Sequence, residues 1–400
     1  VTRWLTIVGI GEDGVEALSP RAQALIAQAA LVVGGARHLA LAQPLLRGET
    51  LAWQRPIEAT MAPILARRGT PVVVLASGDP FHFGVGPMIA ARVPPEERLV
   101  LPGVSALSLA AASLGWSLQD ADTISVCGRP VAQLLPAFQP GRRVLVLSED
   151  GATPGQIAAL LAERGGGGSM LHVFESLGGP RARHRRVRAR DFALLDIDPL
   201  NLVAIEIDAD MAAIPIAPGL DDAYFESDGQ LTRHELRAAA IAALAPHPGQ
   251  TLWDVGAGAG SVAIEWMLRA PSMRAVAFER HPERVARIWR NAASLGVPGL
   301  RTIEGEVPDA FALVEGEPDA VFVGGGGREP TLAEAFARLR PGGRIVAHSV
   351  TLETDAALFG AEAQFGGTLT RFSIERLDMV GEFRAFRPSM TVTQWSSVKP

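Results

Sequence analysis

The chain has 400 residues, more than one core usually serves, and its 48% hydrophobic against 20% charged residues exclude a disordered polymer. Its 37 basic residues are outnumbered by 43 acidic ones, and the net charge of −6 argues against a general nucleic-acid binder. Cys127 is the sole cysteine, so an intramolecular disulfide and a cysteine-built zinc site are excluded, and no metal site is expected.

The N-terminal stretch VTRWLTIVGIGEDG reads as a core strand entering a glycine turn, not as a signal peptide. No apolar run approaches ~18 residues, so no membrane span and a cytoplasmic location are expected. Strands are predicted at Trp4–Val8, Ala30–Val33, Val72–Ala76, Val144–Ser148, Met170–Phe174 and Leu202–Ile207. Helices such as Pro20–Ala29 and Ser105–Leu114 fall between them, the first with Ser19 placed to cap it. The basic run Arg181–Arg190 reads mainly as a solvated face, with docking of a polyanionic ligand as the functional alternative, and its alternation also suits a half-exposed strand.

The segment 214–228 is rich in Pro, Gly and Asp and lacks periodicity, so it is expected as a linker between domains at 1–213 and 229–400. In the helix after it, Leu236, Ala240, Ile241 and Leu244 share a face. Strands then follow at Thr251–Val255, Arg274–Phe278, Leu300–Ile303, Ala320–Val323 and Arg344–His348, with later runs near Thr368–Glu375 and Met390–Thr393. The alternation throughout makes the fold class α/β.

Chemistry-bearing patterns lie where strands meet helices. In TLWDVGAGAGSVAIEW, Gly256, Ala257, Gly258, Ala259 and Gly260 form a loop that lets backbone approach a ligand, with Asp254 ending the strand. Ser261 breaks the dinucleotide spacing. The pattern D-x-G-x-G-x-G resembles the S-adenosylmethionine loop of class I methyltransferases, a Rossmann-like fold. That resemblance implies a cofactor role for Glu279, after the next strand, toward ribose hydroxyls, and for Glu306 and Val307 near the adenine.

In the first half, Gly9 follows the first strand, Ser77, Gly78 and Asp79 follow a later one, and Gly103 and Ser105 open a helix with Ala106. In this order they resemble the tetrapyrrole (cobalamin-type) methylases, whose two α/β lobes bind S-adenosylmethionine. Many members have Pro-Gly where this chain has Glu12 and Asp13. The resemblance implies cofactor contacts from Gly9, Gly78, Asp79, Ser105 and Ala106, and places His82 of FHFG near the reaction.

The segments DGQLTRHELR, FVGGGGREP and RIVAHSVTLET resemble the decarboxylating precorrin methyltransferases of corrin biosynthesis. The whole chain therefore resembles the fused, bifunctional members of that group. The resemblance implies two S-adenosylmethionine sites, one per domain. It implies methylation of precorrin-6Y at C5 and C15 and loss of the ring C acetate carboxylate, giving precorrin-8. Thr232 is carried over as a cofactor contact; His348 and Glu353, after the fifth strand at the carboxyl edge of the sheet, and Arg233, a cation for substrate carboxylates, are the catalytic candidates. A homo-oligomer through the C-terminal domain is implied, with neither nucleic acid nor membrane as partner. Two alternatives stay open here: a fusion acting on a cobalt-precorrin or another precorrin, and a non-catalytic S-adenosylmethionine sensor.

Overall fold

A computed structural model describes residues 3–400. The chain divides into two compact units, the first comprising 1–131 and 137–212, the second 132–136 and 213–400.

The first unit holds two sheets. Its N-terminal half runs β1 (Leu5–Ile10), α1 (Pro20–Gln28), β2 (Leu31–Gly34), α2 (Ala36–Ala42), β3 (Glu49–Ala52), α3 (Met61–Leu65), β4 (Val72–Ser77), α4 (Gly86–Ala90) and β5 (Arg98–Leu101). The sheet is parallel, in the order β3-β2-β4-β1-β5. β1 and most of β4 are buried, as expected of parallel strands covered on both faces. Ser19 Oγ accepts from Ala22 N, the predicted cap.

The second sheet follows α5 (Ala106–Leu114). It contains β6 (Ala121–Ser125), β7 (Arg143–Leu147), β8 (Met170–Glu175), β9 (Arg183–Arg188) and β10 (Asn201–Glu206), with α6 (Thr153–Glu163) between β7 and β8. Its order is β6-β7-β10-β8-β9, and only β6–β7 is parallel. The basic run forms β9, a half-exposed edge strand. It is not simply a solvated face, because Arg183 and Arg185 both donate to Glu175, a carboxylate 1% exposed. The exposed Cys127 donates from Sγ to Ser148 O.

The second unit contains α7 (His234–Leu244), β11 (Thr251–Val255), α8 (Ser261–Met267), β12 (Arg274–Glu279), α9 (Pro282–Ser294), β13 (Arg301–Glu304), β14 (Ala320–Val323), α10 (Glu329–Arg338), β15 (Arg344–Ser349) and α11 (Leu352–Phe365). Four more strands follow: β16 (Thr368–Phe372), β17 (Glu375–Val380), β18 (Phe383–Pro388) and β19 (Val392–Val398). The main sheet runs β13-β12-β11-β14-β15-β19-β16, five parallel strands closed by an antiparallel pair. Its order reverses at β11, where ligands of open α/β sheets sit outside the carboxyl ends. Trp253, Phe278 and Phe311 pack ring to ring within 5.3 Å inside the core.

Two expectations need correction. The two C-terminal runs are four strands, because β17 and β18 form a separate hairpin whose twelve residues are all exposed. With no buried face, the hairpin left no core pattern in the sequence. The segment 214–228 is also no free linker, since it packs on the second unit with Leu220 and Phe225 buried. No helix among the described residues is long and apolar enough to cross a membrane.

Candidate functional site

At the switch point of the second unit, β11 ends in Gly256, Gly258 and Gly260, with φ of 68°, 59° and 75°. Only glycine takes these left-handed angles without strain. Amides of Gly256 and Ala257 both donate to Phe278 O at 3.0 Å, which folds the loop over β12. A Cβ on Gly256 would stand 2.4 Å from Gly325 O, so the loop after β14 lies directly against it.

Two buried carboxylates brace this loop from beneath. Asp254 Oδ2 accepts from Ala263 N at 3.0 Å, and Glu279 accepts from Gly258 N at 2.9 Å and His281 N at 3.1 Å. Burial, then the charge of Glu279, pushes the Asp254 carboxyl up to about 7, although the Ala263 amide opposes the shift.

A strap, residues 219–233, covers the loop. Glu265, fully buried on α8, accepts from Gly219 N and Leu220 N at 2.6 and 2.9 Å. Arg237, also fully buried, donates to Glu265 at 2.6 Å and to the carbonyls of Thr232 and Leu220, with its guanidinium 4.6 Å from the Phe225 ring centroid. Asn291 bridges strap and loop. Its Nδ2 donates to Glu226 O and Ala259 O, and its Oδ1 accepts from Glu226 N. Sequence reasoning missed Arg237, Glu265 and Asn291, because each looks like an ordinary helical polar residue until the strap lies on it.

The glycine loop and strap residues 229–233 form one side of a cavity of about 500 Å³. It gathers Thr232, Arg233, Gly256, Ala257, Gly258 and His348 among the expected residues. Asp254, Ala259, Gly260 and Glu279 act beneath it as loop supports; Asp254, Ala259 and Glu279 are at most 4% exposed. Glu306 lies outside, its side chain 75% exposed and 3.5 Å from Arg280, and Val307 follows it in the same turn. Glu353 is not brought to this cavity: it sits in the first turn of α11, in a separate depression with Arg328 and Thr354.

His348 is 7% exposed, with its ring perpendicular to that of Phe322 at 5.1 Å and Nε2 2.9 Å from Gln394 Oε1. Burial pulls its pKa down and the Gln394 bond partly offsets this, so the imidazole is neutral near pH 7. With Gln394 Oε1 accepting, Nε2 carries the proton and Nδ1 is left as an acceptor.

In the first unit the corresponding edge is closed by backbone contacts between three chain segments. Gly103 N donates to Gly78 O at 3.0 Å, and Gly78 N to Ile10 O at 3.2 Å. A Cβ on Gly9 would fall 1.8 Å from Gly78 O and 2.4 Å from Gly103 N. Ser105 Oγ accepts from Ser108 N and caps α5, whose first residue is Ala106. Asp79 Oδ1 accepts from Phe81 N, and His82 stacks on Phe83 at 5.0 Å. Beside this edge Glu12 pairs with Arg37, which donates to Ser77 Oγ, itself 2.8 Å from His38 Nε2. These groups complete a cluster the sequence did not announce.

Comparison with known proteins fits this geometry. Residues 4–193 match the family described as tetrapyrrole (corrin/porphyrin) methylases, and residues 223–399 match the precorrin methyltransferase domain. A precorrin-6Y C(5,15)-methyltransferase (decarboxylating) of Sinorhizobium sp is 50% identical over 402 residues, covering 100% of this chain and 97% of that protein. The chain belongs to the precorrin-6Y C(5,15)-methyltransferase (decarboxylating) family. Its namesake in Mycobacterium tuberculosis (strain CDC 1551 / Oshkosh) is 40% identical over 399 residues, 99% of this chain and 100% of that one. The crystal structure of the C-terminal domain of precorrin-6Y C5,15-methyltransferase from Rhodobacter capsulatus is 38% identical, with a TM-score of 0.44. It covers 46% of this chain and 100% of that chain. Like its family, the chain is an S-adenosylmethionine-dependent methyltransferase of cobalamin biosynthesis.

Proposed function

We propose that this chain transfers methyl groups from S-adenosylmethionine to C5 and C15 of precorrin-6Y and removes the ring C acetate carboxylate as carbon dioxide, yielding precorrin-8. The observation that carries the reading is the full-length kinship to decarboxylating C(5,15)-methyltransferases in a chain with two glycine-built strand edges of different topology.

Each edge would hold one cofactor. At Gly256, Gly258, Gly9 and Gly78 a Cβ would meet neighbouring backbone, so these glycines let chain segments close on one another and fix the strand edges at which a cofactor would lie. In the second unit, Gly256, Ala257, Gly258 and Thr232 would line the cofactor, with the Glu279 carboxylate at the end of β12 to receive ribose hydroxyls. In the first, Gly9, Gly78, Asp79, Ser105 and Ala106 would do so. When bound, the sulfonium supplies an electrophilic methyl, so the protein need only orient its acceptor carbon.

The chain's own groups handle placement and charge. The second-unit cavity has apolar walls from Leu236, Val350, Phe372 and Met390, suited to a flat macrocycle, with Arg233 and Arg284 at hand for its carboxylates. His348 offers a neutral acceptor at Nδ1 for a proton released at the ring. Its burial keeps it from adding a cation that would stabilise the carboxylate destined to leave. We assign decarboxylation to this unit from its resemblance to the decarboxylating precorrin enzymes, and His82 of the first unit to the C5 side of the chemistry. The exposed apolar side chains of the hairpin, Phe383 and Phe386 at 78% and 68%, support self-association through the second unit.

Incubation with precorrin-6Y and S-adenosylmethionine is expected to add two methyl groups and remove one carbon dioxide, as read by mass spectrometry. An unchanged mass overturns the reading. Calorimetry is expected to show two cofactor equivalents per chain.

A further inference from the structure

Three arginines among the described residues line the second-unit cavity: Arg233, Arg284 and Arg376. Two are anchored within the body of the unit. Arg284 donates to Asp228 at 2.8 Å, and Arg233 to Asp222 at 3.2 Å. Arg376 stands apart. It lies on β17, in a two-stranded sheet joined to no other strand and exposed along its whole length.

Arg376 ties this hairpin to α7. One terminal nitrogen lies 2.7 and 2.6 Å from the two carboxylate oxygens of Glu235, 141 positions away, and the other donates to Ser389 Oγ at 3.3 Å. The pair is half exposed, at 43% and 35% of side-chain surface, so water and salt weaken it. Glu235 also has His234 Nε2 at 3.3 Å, a neighbour that remains if Arg376 leaves.

We infer that Arg376 is a specificity-determining residue that binds a substrate carboxylate, and that Glu235 is an internal stand-in occupying it until substrate arrives. This rests on the reading of the cavity as the seat of a carboxylate-fringed tetrapyrrole. A guanidinium presents a planar fork, and a carboxylate on a flat ring offers it the same partner chemistry as Glu235. Arriving acetate or propionate takes Arg376, Glu235 turns to His234, and the hairpin is then held over the ring by the ring itself. Because β17 has no core of its own, this exchange disturbs no packed layer. Arg376 thereby selects a macrocycle with a carboxylate on the edge facing the hairpin.

The test uses the full chain. KM for precorrin-6Y is measured in the carbon dioxide-releasing reaction, with S-adenosylmethionine affinity followed by calorimetry. Arg376→Gln is expected to raise KM about tenfold at near-constant kcat, with Arg376→Lys between it and the wild type. Glu235→Gln, which removes the competing carboxylate, is expected to lower KM about threefold. Cofactor affinity is expected to stay constant in all three. The inference is overturned if Arg376→Gln leaves KM unchanged, if Glu235→Gln leaves or raises it, or if cofactor affinity moves with the pair. The pair would then be irrelevant to substrate or a structural latch. If the wild type itself releases no carbon dioxide, the functional reading fails and takes the inference with it, a result distinguishable from any pattern among variants.

Discussion

The two glycine edges solve one problem by opposite means. In the first unit, three chain segments meet with no side chain between them, and Gly9, Gly78 and Gly103 are in backbone contact. In the second, the loop lies over β12 and is held by carboxylates below and a strap above. The first arrangement tolerates no added atom. The second depends on polar groups that must be both buried and paired. Substitutions should therefore fail for different reasons in the two places.

The largest expected effect is at Gly9. Gly9→Ala drives a methyl into two backbones at once, neither of which can yield. A loss of about 3 kcal/mol or more is expected, with cofactor equivalents by calorimetry falling from two to one. Two retained equivalents would refute the backbone-contact account. Next is Asn291→Leu, which cuts three hydrogen bonds between strap and loop. About 2–3 kcal/mol of destabilisation of the second unit is expected in denaturant titrations, with the first unit's cofactor binding intact. Glu279→Gln keeps an acceptor oxygen for only one of Gly258 N and His281 N and turns an NH2 toward the other donor. It should weaken one of the two binding events about tenfold and spare the other.

A pH titration sharpens the contrast, because the two edges titrate with opposite sign. Asp254 holds its proton up to about pH 7 in the folded chain and to about 3.8 when unfolded. Across that window the folded state binds more protons, so this group makes stability fall as pH rises. His38, beside the first edge, is brought down to about 4 by burial and by Arg37, against 6.5 when unfolded. There the unfolded state binds more protons, so stability falls as pH drops from about 6.5 to about 4. Thermal midpoints are expected to show Asp254→Asn gaining on the wild type as pH rises through that window. Parallel curves would count against the buried-acid account. The smallest effect is Ser105→Ala, which loses a helix cap worth about 1 kcal/mol.

Much of this was legible in the chain. Gly256, Gly258 and Gly260 announce left-handed turns wherever they follow a strand, and periodicity set the main strands to within a residue or two. The rest was hidden because it is made by distance. Asp222, Glu265 and Asn291 have meaning only once residues 219–233 fold back on α8 and α9. Arg237 sits among alanines and reads as an exposed helical charge, yet it is fully buried because the strap supplies its partners. Glu353 misled by proximity to a strand end, since one further turn of chain carried it onto the start of α11. The hairpin stayed invisible because exposure, not burial, is its defining property.

The strap also decides where this protein can be cut. A gene segment encoding the second half from position 229 would omit Gly219, Leu220 and Glu226. Glu265 would lose both of its amide donors, and Asn291 its partner across the loop. The severed piece would retain every motif residue of its glycine loop and still lack the clasp that shapes it. A free-standing version must begin upstream of Gly219, inside a stretch whose composition invites excision.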